Sequence, residues 1–209
     1  MRKLALIGAG GHGRVVRETA LISGWDEIDF FDDHLEIDPS KNIVGSVDYF
    51  LANMQQYDGV VVAIGNNKIR AALYLMLENA GANFATIIHP FSFISDSAFI
   101  GLGSVVMAGV IVNSKVIIGR GSILNTSCSI DHDCEIGDFV HLCPGVHLAG
   151  GVCINSESWI GISSSIIQNI KIDKSVFVAA GSLVISDVSS GNSVRGVPAK
   201  PYKQNKNEH

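Results

Sequence analysis

The sequence predicts two units of different fold class: an α/β, Rossmann-like half domain over residues 1–90 and an all-β parallel β-helix over residues 91–209. Two observations predict them. An aliphatic residue recurs at every sixth position through the second half, and an apolar run, a glycine-rich loop and a helical pattern follow one another at the start. With 47% hydrophobic and 17% charged residues, the chain has enough apolar material for both cores.

The hexad repeat starts at Ile94 and reaches Val184 without a break. Its aliphatic positions are Ile94, Ile100, Val106, Val112, Ile118, Leu124, Ile130, Ile136, Leu142, Leu148, Ile154, Ile160, Ile166, Ile172, Val178 and Val184. A small or aliphatic residue lies four positions after each, at Ala98, Ser104, Val110, Val116, Ser122, Cys128, Cys134, Val140, Val146, Val152, Ser158, Ser164, Ile170, Val176 and Ser182. Two inward positions in six residues describe one short strand and one turn, and three such strands close one coil of a β-helix.

The turns of the repeat are rich in glycine and asparagine. These residues directly follow the aliphatic position at Gly101, Asn113, Gly119, Asn125, Gly137, Asn155 and Gly161. Because both residue types adopt left-handed backbone conformations readily, we expect the left-handed turn residue there. We also expect His141 and His147, one hexad apart, to stack on the same edge of adjacent coils.

The first half predicts a nucleotide site. An apolar run over residues 3–7 leads through a glycine-rich loop, residues 8–13, into a helix, an order that presents free backbone N–H groups to a phosphate. The residues predicted to bind the nucleotide are Gly10, Gly11, His12 and Gly13 in this loop, Asp32 after a second strand, and Gly65, Asn66 and Asn67 after a third. About 90 residues are few for a complete dinucleotide fold, so a mononucleotide diphosphate is favoured over NAD.

Charge and hydropathy exclude several partners. The formal net charge is −5 and the basic residues are scattered, so we expect neither nucleic acid nor a membrane surface as a partner. No apolar run is long enough to span a bilayer, which favours a cytoplasmic protein. We expect the four cysteines to be buried free thiols, and residues 204–209 to lie outside the globular fold.

Three segments together resemble one family. They are residues 8–13, Gly-Ala-Gly-Gly-His-Gly; residues 63–70, Ala-Ile-Gly-Asn-Asn-Lys-Ile-Arg; and residues 87–90, Ile-Ile-His-Pro. They are similar to the sugar O- and N-acetyltransferases of the hexapeptide-repeat superfamily, which include sialic-acid O-acetyltransferases and N-acetyltransferases of nucleotide-linked 4-amino sugars. The closing segment 194–201, Val-Arg-Gly-Val-Pro-Ala-Lys-Pro, resembles the closing motif common in hexapeptide acyltransferases.

The resemblance implies more than the repeat does. It implies a left-handed β-helix, acetyl-CoA as co-substrate with no tightly bound cofactor, and a homotrimer with active sites between subunits. It implies N-acetylation of the 4-amine of a UDP- or dTDP-linked 4-amino-4,6-dideoxyhexose by direct attack, in the synthesis of a surface polysaccharide or glycan.

One ionisable run on the β-helix predicts a general base. His132 falls at an outward position of its hexad, between Asp131 and Asp133, and either carboxylate could orient the ring. The resemblance matches His132 with the catalytic histidine of the family. It places His141 near the thioester of acetyl-CoA, and Gly150, Ile162 and Ala180 along the pantetheine, with the Gly150 N–H as a donor to the thioester carbonyl.

Other readings remain open at this point. Sialic-acid O-acetylation needs the same base, because an alcohol and an amine lose a proton alike. One alternative is a metal enzyme with three histidine ligands, suggested by His132, His141 and His147. No metal site is predicted, because the spacing of these histidines does not fit one. A second alternative is a covalent acetyl-enzyme with Cys143 as the nucleophile. A third is a non-catalytic scaffold, since a bare β-helix exposes flat faces suited to packing.

Overall fold

The computed structural model describes residues 1–34 and 36–203, so the prediction for residues 204–209 lies outside the described part. The helices are α1 (Gly11–Ile22), α2 (Val47–Asn53) and α3 (Asn67–Asn79), with short 3-10 helices at Pro39–Lys41 and Met54–Gln56. The strands of the first half are β1 (Lys3–Ile7), β2 (Glu27–Phe31), β3 (Ile43–Gly45) and β4 (Gly59–Val62).

The second half is built almost entirely of two-residue strands. They are β5 (Ile87–Ile88), β6 (Phe93–Ile94), β7 (Phe99–Ile100), β8 (Val105–Val106), β9 (Ile111–Val112), β10 (Ile117–Ile118), β11 (Ile123–Leu124), β12 (Ser129–Ile130), β13 (Glu135–Ile136), β14 (His141–Leu142), β15 (His147–Leu148), β16 (Cys153–Ile154), β17 (Trp159–Ile160), β18 (Ser165–Ile166), β19 (Lys171–Ile172), β20 (Phe177–Val178) and β21 (Leu183–Val184). A hairpin of β22 (Ser193–Gly196) and β23 (Ala199–Pro201) closes this half.

The N-terminal sheet is parallel, in the order β3-β2-β1-β4, and is buried on both faces. Alternate residues of β1 enter different cores: Leu4 and Leu6 pack with α1, whereas Ala5 and Ile7 pack with α2 and α3. A parallel sheet covered on both faces requires continuously apolar strands. The apolar runs read from the sequence are therefore confirmed as its strands.

The hexads form a triangular prism. Each strand pairs in parallel with the strand 18 residues further on, as Ile118 does with Ile136. The result is an eight-stranded face, β23-β22-β20-β17-β14-β11-β8-β5; a six-stranded face, β21-β18-β15-β12-β9-β6; and a five-stranded face, β19-β16-β13-β10-β7. Both predicted inward positions of the repeat are buried from residue 104 to residue 184, which confirms the period.

The left-handed turn residue does not directly follow the aliphatic residue, contrary to the prediction from the glycine and asparagine pattern. The positive φ occurs three positions after the aliphatic residue, for example at Gly121 and Asp133, and not one position after it. The glycines directly after the aliphatic residue serve close packing between coils instead. A Cβ on Gly119 would lie 2.5 Å from the backbone N of Asp138 in the next coil.

The stacking predicted for His141 and His147 is also wrong. His141 lies on β14 of the eight-stranded face, and His147 lies on β15 of the six-stranded face. Only residues 18 apart stack, because three hexads complete one coil. His147 stacks between Ser129 and Ser165, and the Oγ of Ser129 is 2.8 Å from His147 Nδ1.

The N-terminal unit covers part of the eight-stranded face. The outward side chains of Val105 and Ile123 on this face are each only 1% exposed. Strand β5 pairs with β8, so this face of the prism begins at residue 87, just before the proposed domain boundary at residue 90. Within the described residues, no helix is long and apolar enough to cross a membrane.

Candidate active site

His132 is held by a carboxylate on the turn that leads from the six-stranded to the five-stranded face. We call the line of such turns the six-five edge. His132 Nδ1 is 2.8 Å from Asp133 Oδ2, and the side chains are 59% and 56% exposed. The hydrogen bond to Asp133 and the nearby charge of Asp131 raise the pKa of His132 above its usual 6.5. With Nδ1–H donated to Asp133, Nε2 is free to accept a proton.

The two carboxylates beside His132 have different partners. Asp133 has φ 58°, and this left-handed conformation accompanies its contact with the ring. Asp131 Oδ1 accepts the backbone N–H of His132 at 2.8 Å and the side-chain amide of Asn113 at 3.1 Å. In this geometry Asp133 orients the imidazole, whereas Asp131 fixes the turn and contributes its charge.

Gly150 lies directly under the His132 ring, one coil further on. A Cβ at this position would be 2.7 Å from both Cε1 and Nε2 of His132, so only glycine leaves the ring in place. The Gly150 N–H donates no hydrogen bond to any residue among 1–34 and 36–203. An imidazole with a free Nε2 and a free backbone donor are thus neighbours on the six-five edge.

The predicted pantetheine residues occupy a different edge. Ile162 and Ala180 lie one coil apart, on turns from the eight-stranded to the six-stranded face, and both are exposed. We call this line of turns the eight-six edge. One chain therefore does not bring them next to His132 and Gly150, because the six-stranded face separates the two edges.

His141 is buried between the two units. It is 8% exposed; its Nδ1 is 3.4 Å from Gly65 O and its Nε2 is 3.2 Å from the Asn125 side-chain amide. A carbonyl only accepts, so these contacts put the proton on Nδ1. Burial, together with the positive charge of Arg70, lowers the pKa of His141 to about 3 and that of His12 to about 4, so both are neutral at pH 7.

Arg70 joins the units and was not singled out from the sequence. It is 1% exposed and donates to the carbonyl oxygens of Ile64 and Gly65 in its own unit and of Gly121 and Phe139 in the prism. Burial lowers its pKa to about 9, so it remains charged at pH 7. The available signal was the i, i+3 spacing of Asn67 and Arg70, which puts both side chains on one face of α3.

The predicted nucleotide residues that follow β4, the third strand expected from the sequence, have structural contacts. The Asn66 side chain caps α3 by accepting from the N–H groups of Lys68 and Ile69. The Asn67 side chain donates to the carbonyl oxygens of Glu157 and Ser158 in the prism. Gly65 O accepts from Arg70 and His141. This segment therefore anchors the N-terminal unit, and its role in nucleotide binding stays a prediction.

The glycine-rich loop leaves the start of α1 open. Gly10 is the N-cap and offers no side-chain oxygen, and the first turn has no acidic residue. Among the described residues, Gly11, His12 and Gly13 donate no backbone hydrogen bond, so their N–H groups point out of the helix end unpaired. The Asp32 carboxylate accepts from Ala9 N at 2.9 Å, which holds this loop against β2.

A cleft of about 770 Å³ opens beside this loop. It lies between α1 and residues 36–43, and Ala9, Arg14, Arg17, Phe30 and Lys41 are among its lining residues. The buried Nε of Arg17 has no partner in the described part of the chain. The volume is in the range of pockets that hold small ligands. Sequence reasoning missed this cleft, since its walls come from separate segments.

The alternative chemistries find little support in the geometry. His132, His141 and His147 lie on an edge and two different faces, and the described residues contain no group of three His, Cys, Asp or Glu side chains placed to share a metal ion. Burial raises the pKa of Cys143 to about 12, which makes a thiolate nucleophile unfavourable. Cys128, Cys134 and Cys143 are buried free thiols as predicted, but Cys153 is partly exposed.

The fold and the site define a class: a hexapeptide-repeat acyltransferase with a Rossmann-like unit at its N-terminus. Residues 3–77 match the model of the PglD N-terminal domain family. Over 114 residues the chain is 32% identical to UDP-N-acetylbacillosamine N-acetyltransferase of Bacillus subtilis (strain 168). That alignment covers 50% of this chain and 51% of the enzyme, so the match spans about half the length of that curated relative.

Solved structures resemble the chain over nearly its whole length. The acetyltransferase domain of PglB from Neisseria gonorrhoeae FA1090 is 39% identical, with a TM-score of 0.91, over 97% of this chain and 100% of that one. A variant of perosamine N-acetyltransferase from Caulobacter crescentus, in complex with CoA and GDP-perosamine, is 31% identical, with a TM-score of 0.92, over 98% of both chains.

The chain belongs to the nucleotide-sugar N-acetyltransferase family of the hexapeptide-repeat superfamily. Its prism is the left-handed parallel β-helix of that superfamily. The resemblance read from the sequence segments is thereby confirmed.

Proposed function

We propose that the chain is an acetyl-CoA-dependent N-acetyltransferase acting on the 4-amine of a nucleoside-diphosphate 4-amino-4,6-dideoxyhexose. The observation that carries the proposal is the pair His132 and Asp133, 2.8 Å apart, beside the free N–H of Gly150. The relatives support the substrate class: one is a UDP-N-acetylbacillosamine N-acetyltransferase, and another was solved with CoA and GDP-perosamine. Acetyl-CoA is a co-substrate here, and no bound cofactor is required.

The chemistry is a direct aminolysis of the thioester. The sugar amine attacks the acetyl carbonyl and His132 Nε2 accepts the proton that the amine loses. The Gly150 N–H donates to the carbonyl oxygen as it becomes negative, and the Asp133 carboxylate stabilises the imidazolium. The tetrahedral intermediate then collapses, the C–S bond breaks, and the imidazolium returns the proton to the CoA thiolate.

The nucleotide is assigned to the N-terminal unit. We place the diphosphate at the open start of α1, where Gly11, His12 and Gly13 offer unpaired N–H groups and the helix dipole favours an anion. The nucleoside lies in the adjoining cleft, where Arg17 presents a buried donor without a partner. A carbonyl oxygen of the base is a suitable acceptor for that group.

The reaction needs a second copy of the chain. His132 and Gly150 lie on the six-five edge, whereas Ile162 and Ala180 lie on the eight-six edge. If all four contact one acetyl-CoA, the edges must come from neighbouring prisms. A closed homotrimer satisfies this with three equivalent sites.

A panel of acceptors tests the function. Purified protein is given acetyl-CoA with UDP-, dTDP- and GDP-linked 4-amino-4,6-dideoxyhexoses, and separately with free and CMP-linked sialic acid. We expect turnover with at least one nucleotide-linked amino sugar and formation of the 4-acetamido product. Turnover only with a sialic acid would replace amine acylation by O-acetylation, and no turnover with any acceptor would favour a scaffold.

Mixed assemblies test the shared site. We expect His132→Ala and Ala180→Trp each to be nearly inactive alone, because one lacks the base and the other obstructs the thioester channel. Co-expressed with two affinity tags and purified as mixed trimers, they should regain about a third of wild-type activity, because one of the three sites in every mixed trimer takes an intact edge from each variant. Activity no greater than the mean of the two separate variants would show that each chain supplies a whole site.

The pH profile of kcat tests the role of Asp133. The base must be neutral, so activity rises with pH through the pKa of His132, which the contact with Asp133 raises. In Asp133→Asn the acid limb of kcat should move to lower pH while kcat at the plateau falls, because a weaker base deprotonates earlier. Asp96→Asn, an exposed carboxylate two coils away on the same edge, is the control. An unshifted acid limb would assign the pKa shift to Asp131.

The compartment follows from the co-substrate. Acetyl-CoA is available in the cytoplasm, so we place the reaction there. The 4-acetamido sugar nucleotide is an activated donor, suited to glycosyl transfer in the synthesis of a surface polysaccharide or glycan.

A further inference from the structure

Asn113 and Asn155 directly follow the aliphatic residue of their hexads, yet neither has the left-handed conformation predicted for this position. Both side chains reach into the next coil instead. Asn113 Nδ2 donates to Asp131 Oδ1 at 3.1 Å, and Asn155 Nδ2 donates to Asp173 Oδ1 at 3.3 Å. The first pair lies beside His132 on the six-five edge, and the second lies on turns from the five-stranded to the eight-stranded face.

The two pairs differ in what else the carboxylate contacts. Asp173 also forms an ion pair with Lys171, whose Nζ is 3.4 Å from Asp173 Oδ1. Asp131 forms no ion pair with a described lysine or arginine, and Asn113 is the one described side chain that donates to it. The Oδ1 atom that accepts from Asn113 also accepts the backbone N–H of His132 at 2.8 Å. The oxygen that fixes the backbone of His132 is therefore itself fixed by Asn113.

The amide of Asn113 suits this role because it is a neutral donor. A lysine or arginine here would fix the Asp131 carboxylate but would also cancel its charge, whereas an amide donates a hydrogen bond and leaves most of the charge in place. The charge of Asp131 helps to raise the pKa of His132, after the larger effect of the hydrogen bond to Asp133. The backbone N–H of Asn113 donates to Ile130 O at 3.0 Å, which anchors the amide against the coil that carries His132.

Few charged groups surround the imidazole of His132. Asp131 and Asp133 flank it on its own turn, and the preceding coil adds Lys115, which forms no ion pair with a carboxylate of the described residues. The following coil presents Gly150 against the ring and no charge. A carboxylate of Asp131 that lost its amide partner would have no other described side chain to hold it. It could then turn toward the imidazole in competition with Asp133.

We propose that Asn113 is a positioning residue of the transfer site: it holds Asp131 on the backbone of His132, so that Asp133 alone orients the ring. This inference rests on the proposed function, in which His132 is the base. It adds a residue of the preceding coil that acts on the imidazole only through Asp131. That route of action distinguishes it from a residue that merely holds two coils together.

A double-mutant cycle tests the route. In Asn113→Ala we expect kcat to fall about 3- to 30-fold, with the KM of both substrates within twofold of wild type, because only the placement of the base changes. In an Asp131→Ala background the same substitution should have no further effect on kcat, since the group that transmits it is gone. An equal loss of kcat in both backgrounds would show that Asn113 does not act through Asp131, and the proposal would be wrong.

Asn155 and Asp173 provide the matched control, because they form the same contact between coils away from His132. We expect Asn155→Ala, Asp173→Ala and the double variant to keep kcat within twofold of wild type. Urea unfolding should show a coupling between the two substitutions in both pairs. A loss of kcat in Asn155→Ala as large as in Asn113→Ala would assign the effect to a general loosening of the coils and would overturn the proposal.

Titration of His132 gives a readout that does not depend on turnover. Its imidazole C–H signals in NMR spectra are identified by their absence from His132→Asn. Asn113→Asp keeps the shape of the side chain, so it should fold, and it should raise the pKa of His132 because a further negative charge favours the imidazolium. Asn113→Ala should raise the pKa less, since the Asp131 carboxylate then has one donor fewer to disperse its charge.

The pH profile of kcat should follow this titration. Because the base must be neutral, a raised pKa of His132 moves the acid limb of kcat to higher pH in Asn113→Asp and Asn113→Ala. Asn155→Asp should move neither the acid limb nor the NMR titration. An unmoved titration of His132 in both Asn113 variants would overturn the proposal.

The outcomes separate this inference from the proposed function. If wild-type protein acetylates none of the acceptors, the proposed function fails and the positioning role fails with it. If wild-type protein is active but Asn113→Ala keeps the wild-type kcat and acid limb, the positioning inference alone is wrong.

Discussion

Replacing His132 by alanine or asparagine is expected to reduce kcat by about 10²- to 10⁴-fold, the contribution of a positioned general base. The KM of the sugar nucleotide and the affinity for acetyl-CoA should stay within a few-fold of wild type, because the ring is exposed on the six-five edge and its proposed role is proton transfer, not packing. Initial rates at saturating concentrations of both substrates measure the effect on kcat.

His147 provides the matched control for this substitution. It is an exposed histidine on the neighbouring face, hydrogen-bonded to Ser129, and it forms no hydrogen bond or ion pair with a carboxylate of the described residues. We expect His147→Asn to retain near-wild-type kcat. If His132→Ala and His132→Asn were also near wild type, the base would have to be another group, with His141 the first residue to test.

Replacing Arg70 by methionine is expected to cost about 3 kcal/mol or more of the free energy of unfolding. The guanidinium is buried, and the carbonyl oxygens of Ile64, Gly121 and Phe139 accept no other hydrogen bond from the described residues. Each buried carbonyl left without a partner costs about 1–3 kcal/mol, partly offset because the cost of burying a charge also disappears. Urea unfolding of Arg70→Met and wild-type protein measures the difference.

The control for Arg70 is on the same helix. Lys68 is exposed, so Lys68→Met should leave the free energy of unfolding within about 0.5 kcal/mol of wild type. Arg70→Lys should recover only part of the loss, because an ammonium cannot reach carbonyl groups on both units in the planar arrangement of a guanidinium. A stable Arg70→Met would show that apolar packing alone fixes the two units together.

The sequence predicted the prism well because its physical signal is local and repeated. Each hexad brings its own aliphatic residue, so the inward positions from Val106 to Val184 could be identified without knowing any distant contact. The sequence could not place the left-handed turn residue. Glycine has two roles in this repeat. It adopts the positive φ in some turns, and at Gly119 and its equivalents it leaves room for the next coil, which lies too close for a Cβ. The position of a glycine alone therefore does not identify the left-handed residue.

The candidate base could also be predicted, since His132 and both flanking carboxylates are adjacent in the chain. Which carboxylate orients the ring could not, because that depends on the left-handed conformation of Asp133 and on the contact of Asp131 with Asn113, 18 residues earlier. The environment of His141 could not be predicted either. Its low pKa comes from burial under the N-terminal unit, and Gly65, which it contacts there, is 76 residues away in the sequence.

The sequence by itself determined the period, the inward residues, the order of strand, glycine-rich loop and helix, and the ionisable run around His132. These depend on residues that are near one another in the chain or repeat at a fixed interval. Only the tertiary structure decided that Arg70 joins the units, that His132 and Ala180 lie on different edges, and that Trp159 stacks on Phe177. Each of these is set by the packing of coils or units on one another, and such contacts leave no periodic trace in the sequence.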